Sequence, residues 1–423
     1  RKFSPKTWST HYLDEFEKPN TEILNTEKPK GNYIIPKWIT QFKVFFNRDI
    51  LSKLANKQYM YINFLEGPFL AFILSFMVKY FSTEAGPTST YVFRYNENLS
   101  AYIFMSVVVA LFMGLTVSAE EIIKDRKILK RESFLNLSWL TYLTSKVSIL
   151  FIISAIQTLC YVLIGNLVLG IQGLYLDYWL VLFATSCFAN LLGLNISSAF
   201  NSVITIYILI PILLIPQLLL GGVIVKFDKL HPILASQNVV PFSGDIMVSR
   251  WAFEALSVNQ YKSNAFEKFF YPYDKVMSIA SYKRNYWQSE LKKRLETCKI
   301  YHDDTEKKEW VQQSFKVIQN EILKEIETNP YVVLKMDINN FIALSNFEIS
   351  IENIISIYLS EIKNYYNNLY NAASVARNKM MGEVQKSMPN KEDFILFRDN
   401  YQNENLSDLV KNANTVNKVI EFN

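Results

Sequence analysis

Hydrophobic positions form long unbroken runs in the first half of this chain and recur at spaced, periodic positions in the second half. Uncharged residues dominate from Tyr59 to Val225, whereas Lys226 to Asn423 is rich in Lys, Glu, Asp, Asn and Tyr. Two solvents are implied, lipid for the first stretch and water for the second. A crossing helix needs about 20 mostly apolar residues, since each rises about 1.5 Å and the hydrocarbon layer is about 30 Å thick. Gln58–Val78 meets this except for Glu66, and Leu99–Ala119 and Val147–Leu176 carry no charge. Tyr178–Val225 is also uncharged, but it is about twice the length of one crossing. It is read as two spans that break at the polar stretch Asn195–Ser202, where Asn and Ser can satisfy turn backbone.

The pattern predicts an all-α fold, a polytopic transmembrane domain over 58–225 with spans near 58–80, 99–119, 147–170, 178–199 and 202–225. An odd count with a long polar tail leads to the expectation of a sixth span beyond Asn423. Residues 1–36 are read as a linker. Ahead of the first span, Trp38, Phe42, Phe45, Phe46, Ile50 and Leu54 recur at helical spacing, predicting an amphipathic interfacial helix over 37–57. Residues 226–256 are read as an outer segment, and 257–423 as a large extracytoplasmic helical domain. Within that domain Ile351, Ile355, Tyr358, Ile362, Tyr365, Leu369 and Ala372 form a heptad-like seam. The seam predicts a long helix packed against Tyr282–Ile326 folded back on it, with an intermolecular coiled coil as the alternative.

Charge then orients the spans. Lys28 to Lys57 precede the first, and Lys124, Arg126, Lys127, Lys130 and Arg131 follow the second, whereas the loop 80–98 holds Arg94 as its sole base. By the positive-inside bias the N-terminus is cytoplasmic, and residues after about 226 are extracytoplasmic. The loop 120–146 carries more charge of both signs than orientation requires, and Glu121 and Asp125 fall on one helical face. Some of these charges are therefore expected to face a partner. Glu66 in the first span reads either as a cation relay or as an interfacial carboxylate paired with a base.

The net charge of +5 is modest, with bases clustered at the ends of apolar runs, so nucleic acid is not an expected partner. Cys160, Cys187 and Cys298, and His11, His231 and His302, stand far apart. No disulfide framework, metal site or catalytic site is read.

The order of parts resembles the membrane half of an ABCG-type ATP-binding-cassette exporter over roughly Trp38 to Leu256. The resemblance rests on the interfacial helix, on the charged run Asp125 to Glu132 followed by Ser138 to Lys146, on Gly221-Gly222 leaving the fifth span, and on Arg250-Trp251-Ala252-Phe253-Glu254. It implies that Gln41 and Arg48 of the interfacial helix, with Glu120, Glu121, Asp125, Arg126, Arg131 and Glu132, couple to a nucleotide-binding module. It also implies that the linker 1–36 follows a cytoplasmic ATPase module, that 226–256 is re-entrant, and that the chain forms a homodimer in the lipid bilayer. The substrate cavity would take Phe104, Met105, Val108, Phe112 and Met113 from the second span, with Thr205, Tyr207, Ile208 and Pro211 from the fifth, below a gate at Val223 and Ile224. Ordinary helix packing would account for any one of these residues.

The chain contains no Gly-x-x-x-x-Gly-Lys-Ser/Thr phosphate loop. ATP and its magnesium are thus expected on a module outside it, with none bound directly. The leading expectation is ATP-driven export of an amphipathic or lipid-like substrate across a bacterial cytoplasmic (inner) membrane. The alternatives are ATP-driven mechanical work on a periplasmic protein without transport, and a membrane scaffold. The outer domain would gate substrate release or dock that periplasmic partner.

Overall fold

The computed structural model describes residues 5–12, 36–81, 91–132, 137–231, 241–344 and 346–416, and among these the regular structure is helical. A short helix α1 (Pro5–Tyr12) lies within the expected linker, whose residues 13–35 are outside the described set. The interfacial helix α2 (Trp38–Ala55) and the first span α3 (Lys57–Val78) are separate helices. They meet at Asn56, whose side chain caps α3 by accepting from the Tyr59 N–H at 3.1 Å. The second span α4 (Leu99–Ser118) leads through Ala119 and Glu120 into the charged helix α5 (Glu121–Glu132).

The third span α6 (Trp139–Leu169) starts ahead of the expected boundary, because the Ser138 hydroxyl caps it by accepting from Thr141 N–H at 3.4 Å. It stops at Gly170, which takes the left-handed φ of +75° that favours glycine. Then come α7 (Tyr175–Ala199) and α8 (Val203–Leu219), separated at Phe200–Ser202, so that Asn195 stays inside α7.

Helices α3, α6, α7 and the helix running from Leu99 are long and apolar enough to cross a membrane. The expected fifth span is shorter than predicted. α8 has 17 residues, a rise of about 25 Å. It ends at Leu219 because the turn at Gly222, with the left-handed φ of +76°, prevents the helix from continuing to Val225.

The spans touch through small and polar groups. A Cβ on Gly114 of α4 would lie 2.5 Å from the Ser186 carbonyl oxygen of α7, so glycine is what permits this approach. Deeper in the bundle the Tyr161 hydroxyl donates to Ser106 at 2.9 Å, and Asn190 donates to the Ser154 hydroxyl at 2.8 Å.

Beyond α8 the chain forms α9 (Phe242–Asp245) and α10 (Val248–Ser263). Ser249 pins α10 to the end of α8, its hydroxyl donating to the Gln217 carbonyl at 2.7 Å. The polar region then folds as α11 (Tyr271–Tyr282), α12 (Gln288–Tyr301), α13 (Lys308–Thr328), α14 (Ile338–Ala343), α15 (Ile349–Lys386), α16 (Lys391–Tyr401) and α17 (Glu404–Val416). Leu291, Leu295, Phe315, Ile318 and Ile322 of α12 and α13 bury the α15 residues Ile351, Ile355, Tyr358 and Ile362. The predicted seam is thus filled from within the chain. Toward its far end burial shifts to Tyr366 and Ala373, while Ala372 is exposed. A straight helix of 3.6 residues per turn drifts away from a seven-residue repeat in this way.

Residues 399–407 return to the N-terminal end of α4. The Asn403 amide donates to the carbonyls of Phe93 and Asn96 at 2.9 and 2.8 Å. Leu406 joins the core formed by Phe93, Leu99, Ala252 and Leu256. Arg94 pairs with Glu404 at 2.6 Å and with Asp399 at 3.4 Å.

Candidate functional site

The candidate site lies at the other end of α4, where α2, α5 and the start of α6 meet. Helix α2 has two faces. Trp38, Phe42 and Phe46 stack in sequence, each ring 5.6 Å from the next, Trp38 exposed and the other two half-buried. Gln41 and Phe45 are buried, Phe45 meeting Tyr142 edge-on at 5.7 Å. The apolar stripe read from the sequence is therefore divided, with Phe45 given to α6 and the other rings stacked on one another.

On α6, Lys146 is 4% exposed at the centre of a charge cluster. Its Nζ lies 2.5 Å from Asp49 Oδ1, 3.0 Å from Glu121 Oε2 and 2.9 Å from Asp125 Oδ2. Lys53 bonds the other Glu121 oxygen, and the Tyr142 hydroxyl donates to Asp125 at 2.9 Å. Asp49, Glu121 and Asp125 thus share Lys53 and Lys146 beside a cavity of about 70 Å³. At its edge Arg48 donates to both Glu132 oxygens at 2.8 and 3.0 Å. Gln41 accepts from the Ser138 N–H at 3.0 Å, joining α2 to the entry of α6.

Helix α5 is held from its third side by α7. The Ser197 hydroxyl accepts from the N–H groups of Ile122 and Ile123 at 3.0 and 3.1 Å, satisfying donors that a helix start leaves open. Arg126 donates to the Ser198 carbonyl at 2.6 Å and to Asn201, at the C-terminal end of α7 where carbonyls lack partners. The acids of α5 therefore turn inward, while Lys124, Lys127, Lys130 and Arg131 form an exposed basic face.

Of the residues expected to couple, Gln41, Arg48, Glu121, Asp125 and Glu132 come together here. Arg126 goes to α7, Arg131 to the exposed face, and Glu120 to Lys124 and Tyr207. The sequence reading expected α5 charges to face a partner. Its acids instead find Lys146 and Lys53 of the same chain. Lys146, Lys53, Asp49 and Ser197 were not among the expected site residues. A lysine opening an apolar run opposite two carboxylates four residues apart was the available signal for Lys146. Nothing local marks Ser197.

The expected cavity residues divide. Phe104 and Met113 are 1% exposed and belong to the chain's own packing. Phe104 meets Phe253 of α10 edge-on at 5.9 Å, and Met113 sits in the core between α4, α6 and α7. Val108 is buried, and Met105 and Thr205 are half-buried. Phe112, Tyr207, Ile208 and Pro211 are exposed. Val223 is half-buried and Ile224 exposed, in the turn after α8. Glu66 is half-buried in α3 and has no ion pair among the described residues.

Residues 40–261 match the family model described as ABC-2 type transporter. No curated protein matches the chain.

Proposed function

Because the chain belongs to the ABC-2 type transporter family, and is the membrane component of an ABC transporter, we propose that it is the membrane half of an ABCG-like exporter. In this reading ATP and magnesium act on a separate nucleotide-binding module that docks against α2 and the basic face of α5. Two copies of the chain meet across the α4 and α8 surface that carries Phe112, Tyr207, Ile208 and Pro211. An amphipathic or lipid-like substrate leaves the cytoplasm or inner leaflet of a bacterial cytoplasmic membrane through that interface. The N-terminus is cytoplasmic, and the region after α8 is extracytoplasmic.

The observation that carries the reading is the buried cluster around Lys146. It makes one mechanical body of α2, α5 and the start of α6, and α5 continues from α4 through Ala119 and Glu120. A push on α5 would thus reach α4 without an intervening loop. Proteoliposomes holding the complete transporter test this directly. ATP-dependent movement of a fluorescent lipid analogue is expected, and in Lys146→Met it falls while nucleotide binding persists. ATP turnover with no movement of any amphipathic probe would sink the export reading.

The Asn403 latch favours a second reading, mechanical work on a periplasmic protein. The polar region grips the outer end of α4, so a shift of that span would reach it too. ATP turnover that shifts a label on the polar region while no amphipathic probe crosses the membrane, with that shift lost in Asn403→Ala, would favour this alternative.

A further inference from the structure

Helices α11, α15 and α17 converge on Asp274, which is 7% exposed. Its Oδ1 accepts from Arg377 Nε at 2.6 Å. Its Oδ2 accepts from the Tyr261 hydroxyl at 3.0 Å and lies 3.2 Å from Lys411 Nζ. Two bases therefore share this one fully engaged carboxylate, while the buried carboxyl of Glu267, which burial holds toward its neutral form, also faces Lys411. Arg377 commits Nε to Asp274 and lays its guanidinium over Phe270 at 5.2 Å. Its terminal amines have no hydrogen-bond partner among the described residues.

Beside this knot lies a cleft of about 340 Å³. Arg377 and Lys411 line it, together with the hydroxyls of Ser278, Ser281 and Ser374 and the amide of Asn378. Ser278 is engaged with the Lys411 carbonyl at 3.1 Å, and Ser281 with Asn285 at 3.3 Å. Ser374 and Asn378 have no side-chain partner among the described residues. Ligand pockets of about 300–1,000 Å³ are mostly apolar with a few polar groups. Here the proportion is reversed, which disfavours the amphipathic cargo proposed for the membrane half.

We propose that this cleft binds a small hydroxylated anion, a compact phosphate or carboxylate on a polyol body. Arg377 and Lys411 take the oxyanion, since a guanidinium pairs with either group through parallel N–H donors. Ser374 and Asn378 take hydroxyls. The site does not depend on what the membrane half moves, or in which direction.

Isothermal titration of the full chain in detergent with glycerol 3-phosphate, gluconate and glycerol tests it. The two anions are expected to bind with Kd of about 1 mM or tighter, and glycerol not to bind. The tighter anion identifies the preferred oxyanion. Ser374→Trp fills the cleft beside Arg377 and Lys411 and is expected to abolish binding. Asn378→Asp, an exposed position suited to a charge, is expected to weaken both anions about tenfold, or 1.4 kcal/mol. No binding of either anion at about 10 mM overturns the proposal. So does affinity unchanged in Asn378→Asp, or in a Ser374→Trp protein whose circular dichroism matches the parent.

Discussion

Helices α3 and α15 are both two-faced, in opposite senses. Along α3, Leu65, Phe69, Phe76 and Met77 are 63–77% exposed, and Asn63, Gly67, Ala71 and Ser75 are buried at steps of four. Along α15, Ile351, Ile355, Tyr358 and Ile362 are buried, and Lys363 and Asn364 are exposed. The backbone geometry is the same, so the surrounding solvent sets the sense. Lipid gives apolar side chains no reason to leave it, and contacts between spans go to small and polar groups. Water drives apolar area inward at about 25 cal/mol per Å².

The contrast extends to buried charge. Around Lys146 three carboxylates face two ammonium groups in a tight enclosure. Around Asp274 two bases share its carboxylate, with the buried Glu267 also facing Lys411, beside an open cleft. The first arrangement suits a rigid joint, and the second leaves donors for a guest.

The sharpest test is Lys146→Ala, which leaves three carboxylates without their shared cation and is expected to destabilise by about 3–5 kcal/mol. Thermal unfolding in detergent reads this. An unchanged midpoint would mean that the polar interior of the membrane half contributes nothing to its stability. In the aqueous half a loss of similar size is expected from the apolar Phe315→Ala, about 3–5 kcal/mol.

Introducing charge on each exposed face breaks the comparison more directly. Phe69→Asp on α3 is expected to cost about 3 kcal/mol, read as failed insertion. Asn364→Asp on α15 stays within about 0.5 kcal/mol. Equal effects would show that the two faces meet the same solvent. Asn403→Ala, which leaves the Phe93 and Asn96 carbonyls unpaired, is expected to cost about 1–3 kcal/mol. Faster amide exchange at residues 93–99 and 404–411 would register it.

The smallest effect is on pH dependence. Glu267 is fully buried, and burial, as the leading cause, raises its carboxyl above the ordinary 4.5 despite the opposing Lys411. The folded state thus holds a proton that the unfolded chain releases earlier. This contribution is fully favourable below 4.5 and is lost as pH climbs from there through the folded-state value. Glu267→Gln is expected to flatten that part of the profile of unfolding midpoint against pH. An unaltered slope would assign it to another group.

Hydropathy and periodicity are local quantities, and what rests on them was legible in the chain: four helices able to cross a membrane, the interfacial helix ahead of them and the seam of α15. The end of α8 differs from the expected one because an uncharged run does not reveal where a left-handed Gly222 turns the chain. The division of the α2 stripe was hidden as well, since Phe45 and Phe46 are equally apolar and just one of them meets Tyr142.

The charge pattern showed that α5 is special, but not which charges its acids would meet. In the sequence Lys146 is just the lysine that opens an apolar run, and packing against α2 and α5 made it the centre of the cluster. Asn403 reaches Phe93 across 310 positions, and Arg377 reaches Asp274 across 103. Contacts at that separation leave no trace in local composition. They depend on which helix ends the folded chain brings together, and for that reason the tertiary structure alone decided the coupling joint, the latch on α4 and the polar cleft.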